Sequence, residues 1–173
     1  MKKAISIKPQ DVAILAKLII QKKMSRQADI ARDLGLSQGE IAKSLLRLHK
    51  AGLVINKNVN RSASVEFFVH AIKYIFPAEI GALAVGVPTA ISAPAHKKML
   101  VQSEAEIYVW PSILGKKRGQ SIKPFYPKLA EAALKDEKFY EMMSAIEILR
   151  IGRARERKLA EEYLERKIKK IEN

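Results

Sequence analysis

The stretch from Arg26 to Ile55, RQADIARDLGLSQGEIAKSLLRLHKAGLVI, decides the fold. It reads as two short helices joined by a tight turn, closed by a glycine and followed by a strand. Ser25 is placed to cap the first helix, with Ala28, Ile30, Ala31 and Leu34 turned inward. Gly35 is the natural turn residue, because a left-handed backbone is cheapest without a side chain. Ser37 then caps the second helix, and Glu40 three residues later completes a capping box. Ile41, Leu45 and Leu48 recur at helical spacing as the buried stripe. Gly52 ends that helix, and Leu53-Val54-Ile55 begin a strand. This is the pattern of a helix-turn-helix leading into a wing.

Working outward, Asn56 to Ser64 is polar and turn-rich, and Val65 to Val69 is expected to return as the partner strand. Lys57, Asn58, Asn60 and Arg61 then lie near the wing tip. Upstream, a helix is predicted to begin near Pro9, a favoured first-turn residue, with Asp11 complementing its dipole. Val12, Leu15, Ile19 and Ile20 give it one apolar stripe. Downstream, residues 77–127 hold six of the seven prolines and four glycines, so short turns and few long elements are expected. The segment is too apolar to be disordered, since Ile107, Tyr108, Val109, Trp110, Phe125 and Tyr126 favour burial. From Lys128 the pattern is helical again, with Met142, Ile146, Leu149, Leu164, Ile168 and Ile171 facing inward and a bend at Gly152.

The expected fold is therefore mainly α with a small β-wing. A winged helix-turn-helix domain (1–76) is followed by an irregular Pro-rich arm (77–127) and C-terminal helices (128–173), the last suited to dimerisation or partner binding.

Composition narrows the function classes. With no cysteine, disulfide scaffolds, thiolate metal sites and cysteine nucleophiles are excluded. Met1-Lys2-Lys3 resembles a signal-peptide start, but Lys8, Pro9, Gln10 and Asp11 interrupt any apolar core, and a cytoplasmic location is expected. The formal net charge is +14. Its distribution matters more than its total. Residues 1–68 carry thirteen Lys/Arg against five Asp/Glu, residues 69–128 eight against three, and residues 129–173 eleven against ten. A positive field over the first two-thirds attracts polyanions.

A recognition helix shows its amino-terminal and outward residues to base edges in the major groove. Here those would be Ser37, Gln38, Gly39, Lys43, Ser44 and Arg47, with Lys50 further along. Gln suits adenine, Arg and Lys suit guanine, and Gly39 allows close approach. Lys57, Asn60 and Arg61 would add a wing contact, with Arg61 entering a minor groove. Arg26, Gln27 and the compact basic loop Lys116-Lys117-Arg118 are positioned to hold phosphates. The bland alternatives are a solvated helix face and ordinary turns.

The run ADIARDLGLSQGEIAKSLLRLHKAGLV resembles winged-helix transcriptional regulators of the MarR-like type, over roughly residues 9–69. That resemblance implies a homodimer that binds operator DNA. After the wing the chain departs from this family, because the Pro-rich arm stands where a long dimerisation helix would follow. The remainder is loosely similar to proteins of bacterial toxin–antitoxin or defence loci. This leaves a second reading open: an antitoxin or inhibitor that captures a protein partner through the arm and tail and autoregulates its operon. No enzyme, cofactor or metal is expected, because His49, His70 and His96 are scattered and lack ligand spacing.

Overall fold

A computed structural model describes residues 6–21, 25–97 and 106–170. Met1-Lys2-Lys3 and Ile171 lie outside them. The chain is mainly helical, with one two-stranded and one three-stranded sheet.

Helix α1 (Pro9–Ile20) is the centre of the molecule. Every residue from Asp11 to Ile19 is buried, which is the signature of a helix enclosed on all sides rather than one with a single apolar stripe. Helices α2 (Gln27–Leu34) and α3 (Gln38–Lys50) pack against α1. The turn between them is made by Gly35, at φ 67° and ψ 32°. A side chain there would be strained, and its Cβ would also lie 2.9 Å from Lys128 Cδ. The neighbouring Leu34 carbonyl accepts a 2.9 Å hydrogen bond from the Tyr126 hydroxyl, so the end of α2 is satisfied from a distant part of the chain. Ser25 does not cap α2. The N-cap position is Arg26, with no side-chain capping bond.

Strands β1 (Val54–Ile55) and β2 (Asn58–Val59) form a minimal hairpin. Both turn residues have positive φ, 49° at Asn56 and 64° at Lys57, as a two-residue type I′ turn requires. The partner strand expected at Val65–Val69 is not formed. Asn60 instead caps a helix, its Oδ1 accepting from Ala63 N at 3.1 Å. Helix α4 (Arg61–Glu66) then runs through a π-helical turn (Phe67–Ala71) into α5 (Ile72–Ile75). An Asx cap offers the backbone a local partner, and that competes with pairing to a strand.

The expected irregular arm is likewise corrected. Strands β3 (Ile80–Pro88), β4 (Tyr108–Pro111) and β5 (Lys117–Ile122) each pair with the other two, closing a small sheet on itself. Proline is confined to strand ends (Pro88, Pro111) and connections, where no ladder donor is needed. Glycines permit the closeness: a Cβ on Gly86 would strike the Trp110 carbonyl, and one on Gly115 would strike Gly86.

Helices α6 (Leu129–Lys135), α7 (Glu137–Ile151) and α8 (Ala154–Lys170) complete the chain, with the break at Gly152. Apart from Leu134, which is exposed, most of their apolar residues are used internally. Met142, Ile146, Leu149, Leu164 and Ile168 belong to one core cluster with Val12, Leu15, Ile41 and Phe68. Helix α7 packs on α1, and α6 on α2. Lys17 ties the two halves, reaching Asp33 at 3.0 Å and Asp136 at 2.8 Å. Among the described residues, no helix is long and apolar enough to cross a membrane.

Candidate nucleic-acid interface

Helix α3 has one face toward α1 and α2 and one toward solvent. Ser37 caps it, its Oγ accepting from Glu40 N at 3.1 Å. The reciprocal half of the expected capping box is absent, because the Glu40 carboxylate is used elsewhere. Glu40 Oε1 accepts from Gln10 Nε2 at 2.8 Å and from Arg47 Nη2 at 2.9 Å. These bonds, led by that from Gln10, hold the Glu40 carboxyl below its usual range even though burial pushes the other way.

Arg47 is the largest correction to the sequence reading. It is only 7% exposed, and its guanidinium grips Asp11 through Nε to Oδ2 and Nη2 to Oδ1, both at 2.7 Å. Asp11 is fully buried. A planar fork matched to a carboxylate is the strongest form such a pair takes, and the Asp11 hydrogen bonds push the Arg47 pKa up. Arg47 therefore clamps α3 to α1 and cannot read a base. Ser44 is also removed from the outward set, since it is fully buried.

The exposed face of α3 comprises Gln38, Gly39, Ala42, Lys43, Leu46, His49 and Lys50. These positions recur at helical spacing and form one ridge. Gln38, Lys43 and Lys50 make no hydrogen bond or ion pair among the described residues, so their polar ends are available. Leu46, 51% exposed, was not foreseen on this ridge. The pair Leu45-Leu46 leaves the helix phase ambiguous, and only Leu45 turns partly inward. His49 Nδ1 lies 3.1 Å from the Val54 carbonyl, linking the end of the ridge to the hairpin.

Beside the ridge, Asn56, Lys57 and Asn58 are exposed at the hairpin tip. Asn60 and Arg61 are not part of that tip. Asn60 Nδ2 donates to the Gly52 carbonyl at 3.2 Å while its Oδ1 caps α4. Arg61 Nη1 donates to the Ile168 carbonyl near the end of α8 at 3.0 Å. Both residues brace the fold, so the expected minor-groove contact by Arg61 is withdrawn. Arg26 and Gln27 are exposed at the start of α2, with Arg26 in a surface pair to Asp29 at 3.2 Å. Such a pair contributes little and yields readily to a better anion.

Lys116, Lys117 and Arg118 are exposed at the start of β5, on a different element from the ridge, and no carboxylate pairs with them among the described residues. No group of three or more His, Asp or Glu is placed to hold a metal ion among those residues. A groove of about 700 Å³ lies between α2 and the start of α7 and is lined by Lys17, Arg32, Asp33, Lys135, Asp136, Glu137 and Lys138. Two of its three acids, Asp33 and Asp136, already pair with Lys17.

Comparison with family models, curated proteins and solved structures finds no match to this chain.

Proposed function

We propose that this chain is a sequence-specific double-stranded DNA-binding transcriptional regulator, acting in the cytoplasm as a homodimeric repressor and not as an enzyme. The observation that carries the reading is the α3 ridge. It is a convex helical surface whose polar residues, Gln38, Lys43 and Lys50, are exposed and have no partner among the described residues, on a chain of net charge +14. An α-helix of this kind fits the major groove. Gln38 can bond both edges of an adenine, Lys43 can donate to a guanine, and Ala42 and Leu46 can meet thymine methyl groups. Gly39 removes the side chain where the backbone comes nearest. Lys50 and Lys57 reach for phosphates on either side, and Arg26 and Gln27 hold the strand crossed by α2.

The resemblance of residues 9–69 to MarR-like winged-helix regulators supports the same conclusion, although the wing is reduced to two residues per strand. Two copies on a palindrome would set their α3 helices one helical turn apart, about 34–36 Å. Occupying such an operator excludes polymerase.

The test is the salt dependence of duplex binding by fluorescence anisotropy, between about 50 and 200 mM salt. Affinity is expected to fall steeply, and Lys50→Ala is expected to reduce the logarithmic slope by about one for one lost phosphate contact. Binding that ignores salt, or is unaffected by substitutions along the whole ridge, overturns the proposal.

A further inference from the structure

Away from the ridge, the closed sheet carries the most unusual surface of the molecule. A register shift between Ile80 and Leu83 on β3 returns Ile80, Leu83 and Val85 to one side of the strand. All three are exposed, Leu83 at 64% and Val85 at 53%. Ser112 N donates to the Val85 carbonyl, which sets the β4–β5 connection against the same end of β3. That connection carries Ile113, wholly exposed, and Leu114, 52% exposed. Leu83 and Val85, with Ile80 beyond the bulge, form an apolar band along β3, and Ile113 and Leu114 stand exposed in the connection beside its Val85 end. Arg118 stands directly opposite Val85 in the register, on the same face of the sheet, while Lys117, opposite Gly86, alternates to the other face and Lys116 precedes the strand. A groove of about 510 Å³ lies alongside, lined by Ala82, Leu83, Ile107, Arg118 and Gln120.

We infer that this band is the docking surface for an acidic amphipathic helix of another protein. Charge complementarity selects that partner. The three cations have no internal carboxylate among the described residues, while the acids nearby are already engaged. Glu79 pairs with Lys123 at 3.1 Å, and Glu106 with Arg153 at 3.0 Å. A second copy of the chain would bring a further net charge of +14 to this cationic face. Nucleic acid would satisfy the cations but not the band, which is aliphatic and offers no aromatic ring for base stacking. Geometry selects a helix over a strand. At Val85 and Gly86, β3 is engaged on both sides, by β5 and by Ser112 and Pro111, so there contact must be made by side chains. A helix with Leu or Ile at i, i+3, i+4 and i+7 and Glu or Asp beside them matches an aliphatic band with a cationic rim.

The probe is a fluorescently labelled 18-residue helical peptide of Leu and Glu in that pattern. Controls are a scrambled peptide of the same composition and one with Lys in place of Glu. The full-length chain is expected to bind the patterned peptide at least tenfold tighter than either control. The double substitution Leu83→Ser, Val85→Ser and the triple substitution Lys116→Glu, Lys117→Glu, Arg118→Glu should each weaken it at least tenfold. Both variants should keep the wild-type helical signal in circular dichroism and the wild-type melting profile. Equal binding of patterned and scrambled peptides overturns the inference. So does a dimer in sedimentation that Leu83→Ser dissolves, which would give the band to a second copy. Displacement of the peptide by duplex DNA, with DNA affinity lost in the triple variant, would give it to nucleic acid. None of these readings depends on whether the α3 ridge binds DNA.

Discussion

At the scale of single residues, the Arg47 guanidinium joins α3 to α1 through two 2.7 Å hydrogen bonds to Asp11. Arg47 sits beside a carboxylate with no exposure to water, and removing one partner of a buried pair leaves the other charge uncompensated. Arg47→Ala is expected to destabilise the fold by about 3–5 kcal/mol, read as a lower midpoint in urea unfolding. Pairing Arg47→Met with Asp11→Leu should recover most of that loss, since a well-packed apolar pair often replaces a buried ion pair without penalty. A loss under about 1 kcal/mol for Arg47→Ala would remove the clamp from the account, because it would match an exposed pair instead. Lys43→Ala carries the opposite expectation. The side chain is exposed and has no partner among the described residues, so stability should stay within about 0.5 kcal/mol while affinity for a preferred duplex falls. The sequence shows that Arg47 lies beside the outward face. It does not show that Asp11, thirty-six positions earlier, waits opposite it, and that long-range partner decides the role.

At the scale of elements, local signals were legible wherever the backbone itself demanded a residue type. Gly35 at the left-handed turn, Ser37 at the α3 N-cap, Gly52 at φ 75° and the break at Gly152 all lie where their chemistry places them. The elements that failed depend on distant pairing. Val65–Val69 has strand-like composition, but the Asn60 cap and the burial of Phe68 against the helical core favour a helix. Residues 80–122 looked irregular because their strands pair across long connections and tolerate glycine and proline only through closure. The hairpin gives a direct check. Lys57 holds φ 64° with a side chain, a conformation costing an L-residue about 1–2 kcal/mol. After the entropy that glycine forfeits on folding, Lys57→Gly should raise stability by about 0.5–1 kcal/mol. The same change should weaken DNA binding if the ammonium holds a phosphate. A thermal melt checks the first effect and a duplex titration the second; a lower melting temperature would show that the turn is not strained.

At the scale of the whole molecule, one core spans both ends of the chain, so the carboxyl-terminal helices set the position of α3 from behind rather than forming a separate arm. This predicts a pH response in two stages. His96 is fully buried, with Nε2 at 3.0 Å from the Glu141 carbonyl and Nδ1 without a partner among the described residues. Tyr163 stacks edge-on against it, and Lys167 and Glu141 are its charged neighbours. Burial, aided by Lys167, lowers its pKa below the ordinary histidine value, although Glu141 opposes the shift. The folded state therefore prefers the neutral ring, and the stability that His96 contributes declines as pH falls through the ordinary value near 6.5 toward the lowered one. Glu40, Asp136 and Glu141 are lowered carboxyls, so their contribution is present above the ordinary carboxylate range and is lost at more acidic pH, as each passes its folded value. His96→Phe should erase the upper stage and leave the lower one, and an unchanged upper stage would assign it to another group. Whether the α3 ridge reads duplex sequence is decided by selecting ligands for the purified protein from a pool of randomised duplexes. A recurrent, two-fold symmetric site is expected, and its enrichment should disappear when Gln38→Ala and Lys43→Ala are combined. A pool that shows no enrichment over a protein-free control would contradict it, as would one in which the double variant selects the same site.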